Sequence, residues 1–394
     1  MKSVITSLLI GGVVARSVLE QRQVKASGGG GNNGIAALVG GVLNRGYGKV
    51  ADPAGAAPRR IKLATRAKSI PGSESVKIRY GPYNVPNMNH KNIMGEAGML
   101  WNYPDKQVEK PCQECVIVGM NAGLEYPNGR SANIDNNQWL HHFVQFVIGP
   151  GRVDATCGDN PQSLPHMLIG STSKGSERFF SSGNERTPAF LQDWSGTTNV
   201  GYHLRKEDKM AFIVDLMNEN MKDELVYLTI SYDYVPGRPA GFDDMKPVWF
   251  DAAQCGTSEV KAPKQSGNFT VTAPKWVANF EGDILGSAGH LHDGGTNILL
   301  VVDGKTVCNS DATYGGSPEY VQKNPMMHKD SAVEHISKMK VCMNESFTLK
   351  KLVKGQVWTL KAVYDYSKQK GMLHEDGKQS SVMGIAIMYV RVKK

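Results

Sequence analysis

The chain lacks any apolar run long enough to cross a bilayer. The N-terminal stretch from Val4 to Val14 falls short of the ~20 residues a spanning helix needs, and no later stretch approaches it. No long segment repeats with a clean helical period, which argues against a helical bundle or coiled coil. There is no nucleophile elbow, HExxH pair, Walker loop or dinucleotide-binding fingerprint. The glycine-rich stretch 28–31 follows no strand and opens no helix, so it is not a phosphate loop. Net positive charge is also scarce over most of the sequence. The formal net charge is +8, yet Lys2, Arg16, Arg22, Lys25, Arg45, Lys49, Arg59 and Arg60, set against Glu20 and Asp52, already supply +6 of it. The remaining +2 is too little for a basic nucleic-acid surface, so no nucleic-acid partner is expected.

What is present first describes a compartment. MKSVITSLLIGGVVARS (1–17) has an early lysine, a short apolar run and then small residues, the layout of a secretory signal peptide. A secreted, extracellular protein with no membrane span is expected. The even count of six cysteines suits disulfides in an oxidising compartment. The sequons Asn268-Phe269-Thr270 and Asn344-Glu345-Ser346 agree with a secreted glycoprotein. Cys308 and Cys342 could close a loop within the second half. Cys112 and Cys115 are read as structural disulfide partners rather than a metal or redox pair, because no second CxxC exists.

The segment 18–60 reads as flexible or pro-like, since its Gly/Asn tract cannot bury enough apolar surface to offset ordering entropy. Arg59-Arg60 closes it and is either a dibasic processing site or a solvated charge pair. From Ile61 onward the texture is one of short β-branched and aromatic runs bounded by Gly, Pro, Asn or Asp. Examples are HHFVQFVIG (141–149), KMAFIVDLM (209–217), NILLVVDGK (297–305) and VMGIAIMYVRV (382–392). An all-β fold is expected, with two antiparallel jelly-roll or β-sandwich domains in tandem. Pro/Gly-rich sequence over 236–265 separates a first domain, 61–250, from a second, 265–394. A monomer is expected.

The histidines carry the chemistry. His290 and His292, in GHLHDGG, are two apart, so on a strand both imidazoles point to one face and can meet one ion. Two imidazoles without a nearby cysteine or carboxylate cluster fit copper or zinc rather than calcium or magnesium. Met383, at the start of a late strand in the same half, offers a thioether, which would favour Cu(I) and hence redox copper. Core packing is the default for any methionine in a chain with 17 of them. His141 and His142 are adjacent, so both can reach one metal only at a bulge or strand end. Otherwise one is a buried, hydrogen-bonded histidine and the other is exposed. The remaining histidines are scattered, and His203 is the best of them to join that pair. Asp215 reads as a strand or edge residue. Asp293 reads as a turn residue or an acceptor orienting a histidine.

Taken together, these residues resemble the copper type II, ascorbate-dependent monooxygenases, the family of peptidylglycine hydroxylating monooxygenase and dopamine β-hydroxylase. The carriers are the adjacent pair His141-His142 in HHF, then His290-x-His292 followed by glycine, then Met383 just before a late strand. PGRPAG (236–241), GYHLRK (201–206), DLMNEN (215–220) and GHLHDGG (289–295) are closer still to the stress-up-regulated nodulin family. The resemblance implies two jelly rolls with one copper each. His141 and His142 would open a site that relays an electron from ascorbate, and His290, His292 and Met383 would form the oxygen-activating site. One departure stands out: where that family has a third histidine for the first site, this chain reads Asp215-Leu216-Met217-Asn218, which leaves Met217 or His203 as substitutes.

The expected function is a secreted copper-dependent oxidoreductase of monooxygenase type, with a small-molecule or peptide substrate the sequence does not name. The alternative is a non-enzymatic extracellular copper-binding or stress-associated protein on a degenerate scaffold. A zinc hydrolase would need a carboxylate base beside the histidines, for which Asp293 is the only near candidate.

Overall fold

A computed structural model describes residues 33–158, 164–172, 174–191, 199–323, 332–374 and 376–393. The expected signal peptide, the Gly/Asn tract through residue 32, and His328 lie outside the described residues. The all-β expectation holds: antiparallel sheets pack face to face as in a sandwich.

The largest sheet has eleven strands. Its path passes through Glu74–Val85, Glu224–Pro236, Cys115–Glu125, Val200–Leu204, Asp243–Asp251, Ile385–Val392 and Gly282–His290. All these pairings are antiparallel except one short parallel contact, Asp243 and Asp244 beside Val200 and Gly201. A four-stranded sheet orders Met99–Val108, Lys209–Asn218, Gln138–Ile148 and Ser176–Gly183. A six-stranded sheet includes Asn268–Thr272, Val357–Asp365, Gly295–Val302, Lys305–Tyr314 and Ile336–Met339.

The strand Ile385–Val392 shows why its sequence reads as a nearly unbroken apolar run. Ile385, Ile387 and Tyr389 face one core, shared with Phe143, Phe179 and Val214. Ala386, Met388 and Val390 face another, shared with Ile298, Leu300 and Leu360. Side chains alternate along a strand, so a strand buried on both faces needs apolar residues at every position. Asp243–Asp251 does the same, with Met245 and Trp249 on the first side and Val248 and Phe250 on the second.

Residues 33–60, expected to belong to a flexible segment, form structure instead. Asn33–Leu43 is helical, and Arg60–Leu63 pairs with Glu74–Val85. The expectation rested on the Gly/Asn tract, whereas from Ile35 the sequence IAALVGGVL holds enough apolar residues to form a packed helix. Asn44 is buried at the helix end, where its side chain donates to the Gly40 and Trp101 carbonyls and accepts from the Trp101 amide. Arg59 pairs with Asp52 and Arg60 with Glu109.

All six cysteines are bonded, as Cys112–Cys115, Cys157–Cys255 and Cys308–Cys342.

Candidate metal centre

His141 and His142 lie in the strand Gln138–Ile148, and a bulge lets consecutive residues serve one site. Against the neighbouring strand, Asp215 pairs with His142 but Met217 pairs with Trp139, so Leu140 and His141 together oppose Leu216. The extra residue turns His141 toward the side its neighbour faces. The two Nδ1 atoms are 3.1 Å apart. That is the separation two nitrogens take when they share one ion at ~2.0 Å each with about a right angle between the bonds.

His290 ends the strand Gly282–His290, and His292 sits two residues on in the turn toward Gly295–Val302. Gly294, at φ +87°, makes that turn. There a side chain would be strained and would collide with the Tyr366 ring.

The resemblance implied one site in each half of the chain. The structure instead gathers both histidine pairs into a single cluster. Ring centroids are 4.6 Å apart for His141 and His292, 5.0 Å for His141 and His142, and 5.8 Å for His290 and His292. His142 lies 6.3 Å from both His290 and His292. One ligating atom from each of His141, His142, Glu259 and His292 falls within 4.8 Å of the others. Three imidazoles and a carboxylate form a donor set for a transition metal such as copper or zinc, not for calcium or magnesium.

Three of the four imidazoles are held from behind. The His290 Nδ1–H donates to Glu185 at 3.0 Å, and the His292 Nδ1–H donates to the Ser381 carbonyl at 2.8 Å. The His142 Nε2 faces Asp215 at 3.1 Å, and Asp215 also accepts the Asn102 amide at 2.8 Å. The Nε2 atoms of His290 and His292 are buried without a partner. A buried nitrogen with no hydrogen bond, on a ring whose other nitrogen is clamped, is able to serve as a metal ligand. Gly183 leaves room for this packing, because a Cβ there would collide with the His290 imidazole.

Burial, then the neighbouring imidazoles, holds His141 well below the ordinary histidine range and brings His292 down to about 3. Both rings are therefore neutral, as ligation requires. Burial works against protonation of His142, but the charge and hydrogen bond of Asp215 raise it overall. Burial pushes Glu259 up to about 7, with Asp215 and Glu96 adding to the rise and His142 opposing it.

The other sequence expectations divide. Asp215, read as a strand or edge residue, is fully buried and orients His142. His203 takes no part in the cluster and pairs with Glu114 at 2.8 Å. Met217 packs with Met99, Ile134 and Trp139 and lines the cavity beside the histidines. Asp293 orients His335, accepting its Nδ1–H at 2.6 Å. Met383 is fully buried and lies opposite Glu259 in a short antiparallel ladder. Its side chain belongs to the hydrophobic core that includes Trp249 and Ile385. Glu259 itself was missed because it lies in the loop-rich segment read as an interdomain break. A lone glutamate there carries no local signal.

A cavity of about 630 Å³ opens on this cluster, lined in part by His141, His292, Glu259, Trp139, Met217 and His335. That size suits a small organic molecule.

Two curated relatives are similar over most of their length. "Probable copper-dependent oxygenase M1" of Phoma sp. is 31% identical over 317 residues, 80% of this chain and 72% of that protein. "Probable copper-dependent oxygenase clz3" of Cochliobolus lunatus is 32% identical over 273 residues, 69% of this chain and 78% of that protein. No family model matches the chain. Among solved structures, peptide N-glycanase F from Flavobacterium meningosepticum aligns over 81% of this chain and 96% of its own, at 12% identity and TM-score 0.36. PNGF-II aligns over 88% of this chain and 66% of its own, at 10% identity and TM-score 0.32.

Proposed function

This chain belongs to the family of probable copper-dependent oxygenases, and from that premise we propose that the four-histidine cluster is its copper centre. The observation that carries this reading is the pair of buried, unpartnered Nε2 atoms on His290 and His292, each on a ring fixed through Nδ1. His141, His142 and His292 are the proposed ligands with Glu259. His290, whose Nε2 has no partner, is a further proposed ligand, and Met383, opposite Glu259 in its ladder, is a proposed thioether ligand.

Copper, when bound, supplies one-electron redox cycling and the activation of dioxygen. The protein's part is positional. Glu185, Asp215 and the Ser381 carbonyl fix ring orientation, and Asp215 adds negative charge behind His142. All four imidazoles are buried, which limits their contact with bulk water. The adjoining cavity holds the organic substrate, and its mouth admits reductant, for which ascorbate is the proposed source. The same cavity favours an oxygenase over a copper-storage role, since a storage site needs no such space beside the ion. The proposed location is extracellular. Three disulfides fit an oxidising compartment, and no helix among the described residues is long and apolar enough to cross a membrane.

The test is metal analysis with copper EPR on the wild type and on the His141→Ala and His292→Ala variants, together with oxygen uptake under ascorbate. Copper in the wild type, its loss in both variants and ascorbate-dependent oxygen uptake are expected. Unchanged copper content in His292→Ala would sink the assignment. Copper binding without oxygen uptake would favour the non-enzymatic reading.

A further inference from the structure

The cavity beside the histidine cluster holds a fifth imidazole that metal ligation does not explain. His335 lies just before the strand Ile336–Met339, and its amide donates to the Tyr320 carbonyl at 3.0 Å. Its Nδ1–H donates to Asp293 at 2.6 Å, and the other Asp293 oxygen accepts the Ile336 amide at 3.1 Å. The ring also stands edge-on to Trp139, with centroids 4.4 Å apart. Backbone, carboxylate and indole thus fix its position and its tautomer.

With Nδ1 carrying the proton, Nε2 is left as an acceptor. That atom is buried and has no partner. A rigid acceptor without a donor is unfavourable unless something arrives to satisfy it. The residue lines the same cavity as His141, His292 and Glu259. Asp293, which holds it, follows His292 directly in the chain, so one turn positions both imidazoles.

The rest of the cavity wall describes the molecule that would arrive. Met88, Met99, Met217, Met372 and Trp139 give an adaptable apolar surface. The described lining residues include no buried lysine or arginine, while Glu96 and Glu219 contribute carboxyl groups. Lys91 and Lys370 also line the cavity but are exposed, so no buried cation is there to hold an anionic ligand.

We propose that His335 is the substrate-anchoring residue of this cavity, its Nε2 accepting a hydrogen bond from a hydroxyl group on an otherwise apolar substrate. The proposal rests on the reading of the neighbouring cluster as the reaction centre, and it makes His335 an anchor, not a copper ligand.

The experiment uses the metal-free, full-length protein and a matched pair of probes, 1-indanol and indane, with dissociation constants from ligand-observed NMR. The wild type is expected to prefer the alcohol by about tenfold, the worth of one hydrogen bond to a fixed acceptor. His335→Phe keeps a ring against Trp139 and should lose the preference while still binding indane. His335→Gln, with an amide oxygen available to accept, should regain part of it. Copper content on reloading should match the wild type in both variants. The proposal is overturned if the wild type binds neither probe or shows no preference, if His335→Phe keeps the preference, or if either variant loses copper. Failure of the copper reading looks different: the alcohol preference stands while the wild type takes up no copper.

Discussion

Glu185 and His290 form a buried pair in which the imidazole Nδ1–H meets the carboxylate at 3.0 Å, while Gly183, two residues earlier, leaves space for the ring. Glu185 Oε1 also accepts the Gly183 amide at 3.2 Å, so one carboxylate ties the end of the Ser176–Gly183 strand to the end of the Gly282–His290 strand. Replacing Glu185 with Gln should weaken copper binding about 10- to 100-fold, the usual cost of losing a partner behind a ligand. Gly183→Ala should do at least as much damage by forcing the ring away. Competitive chelator titration measures both, and wild-type affinity in Gly183→Ala would show that His290 plays no part in binding.

Glu259 and Met383, opposite one another in their ladder, should pull the copper potential in opposite directions. A carboxylate is hard and anionic and stabilises Cu(II), whereas a thioether is soft and stabilises Cu(I). Glu259→Gln should therefore raise the reduction potential and Met383→Leu should lower it. Each tenfold change in relative affinity for the two oxidation states shifts a one-electron potential by about 59 mV. Spectroelectrochemistry reads the sign directly. An unmoved potential in Met383→Leu would leave Met383 as a core residue only.

Tyr364 links the two segments that carry His292 and Met383. Its hydroxyl accepts from the backbone amides of His292 and Met383, both at 3.2 Å, and donates to the Met383 carbonyl at 2.6 Å. Tyr364→Phe leaves these buried groups unsatisfied and should cost about 1–3 kcal/mol of stability. Denaturant unfolding measures the loss, and a change in the copper EPR spectrum should accompany it.

His166 gives the fold a distinct acid sensitivity. Burial first, and the Arg178 charge second, bring it down to about 4, and its ring packs on Phe146 with centroids 4.9 Å apart. In the unfolded chain it titrates near 6.5. Between those values the unfolded state binds the proton and the folded state does not. Stability therefore falls as pH drops from about 6.5 to about 4, by on the order of 3 kcal/mol. His166→Phe should flatten that part of the profile relative to wild type, as read from unfolding at pH 7 and pH 4.5.

The strands were legible because their signal is local. Alternating or unbroken apolar runs between turn residues are fixed by the two-residue period of a strand, and that gave the all-β class without any knowledge of partners. The spacing of His290 and His292 suggested two imidazoles on one strand face, whereas in the structure His290 ends its strand and His292 lies in the turn beyond it. For His141 and His142 the sequence showed the need for a bulge, but only strand register placed it at Leu140-His141.

What the sequence could not reveal was convergence. His141 and His292 come from different halves of the chain, and they meet only because separate strands bring their ends to one place. Glu259, in a two-residue strand, Asp215, buried behind His142, and His335, held by Asp293, come beside the histidines or their cavity through that folding and carry no local pattern of their own. The sequence determined which residue types could bind a metal and which short segments would be strands. Tertiary structure decided that the two histidine pairs lie together beside one cavity, because the side chains that surround a site are set by long-range strand pairing and not by neighbours in the chain.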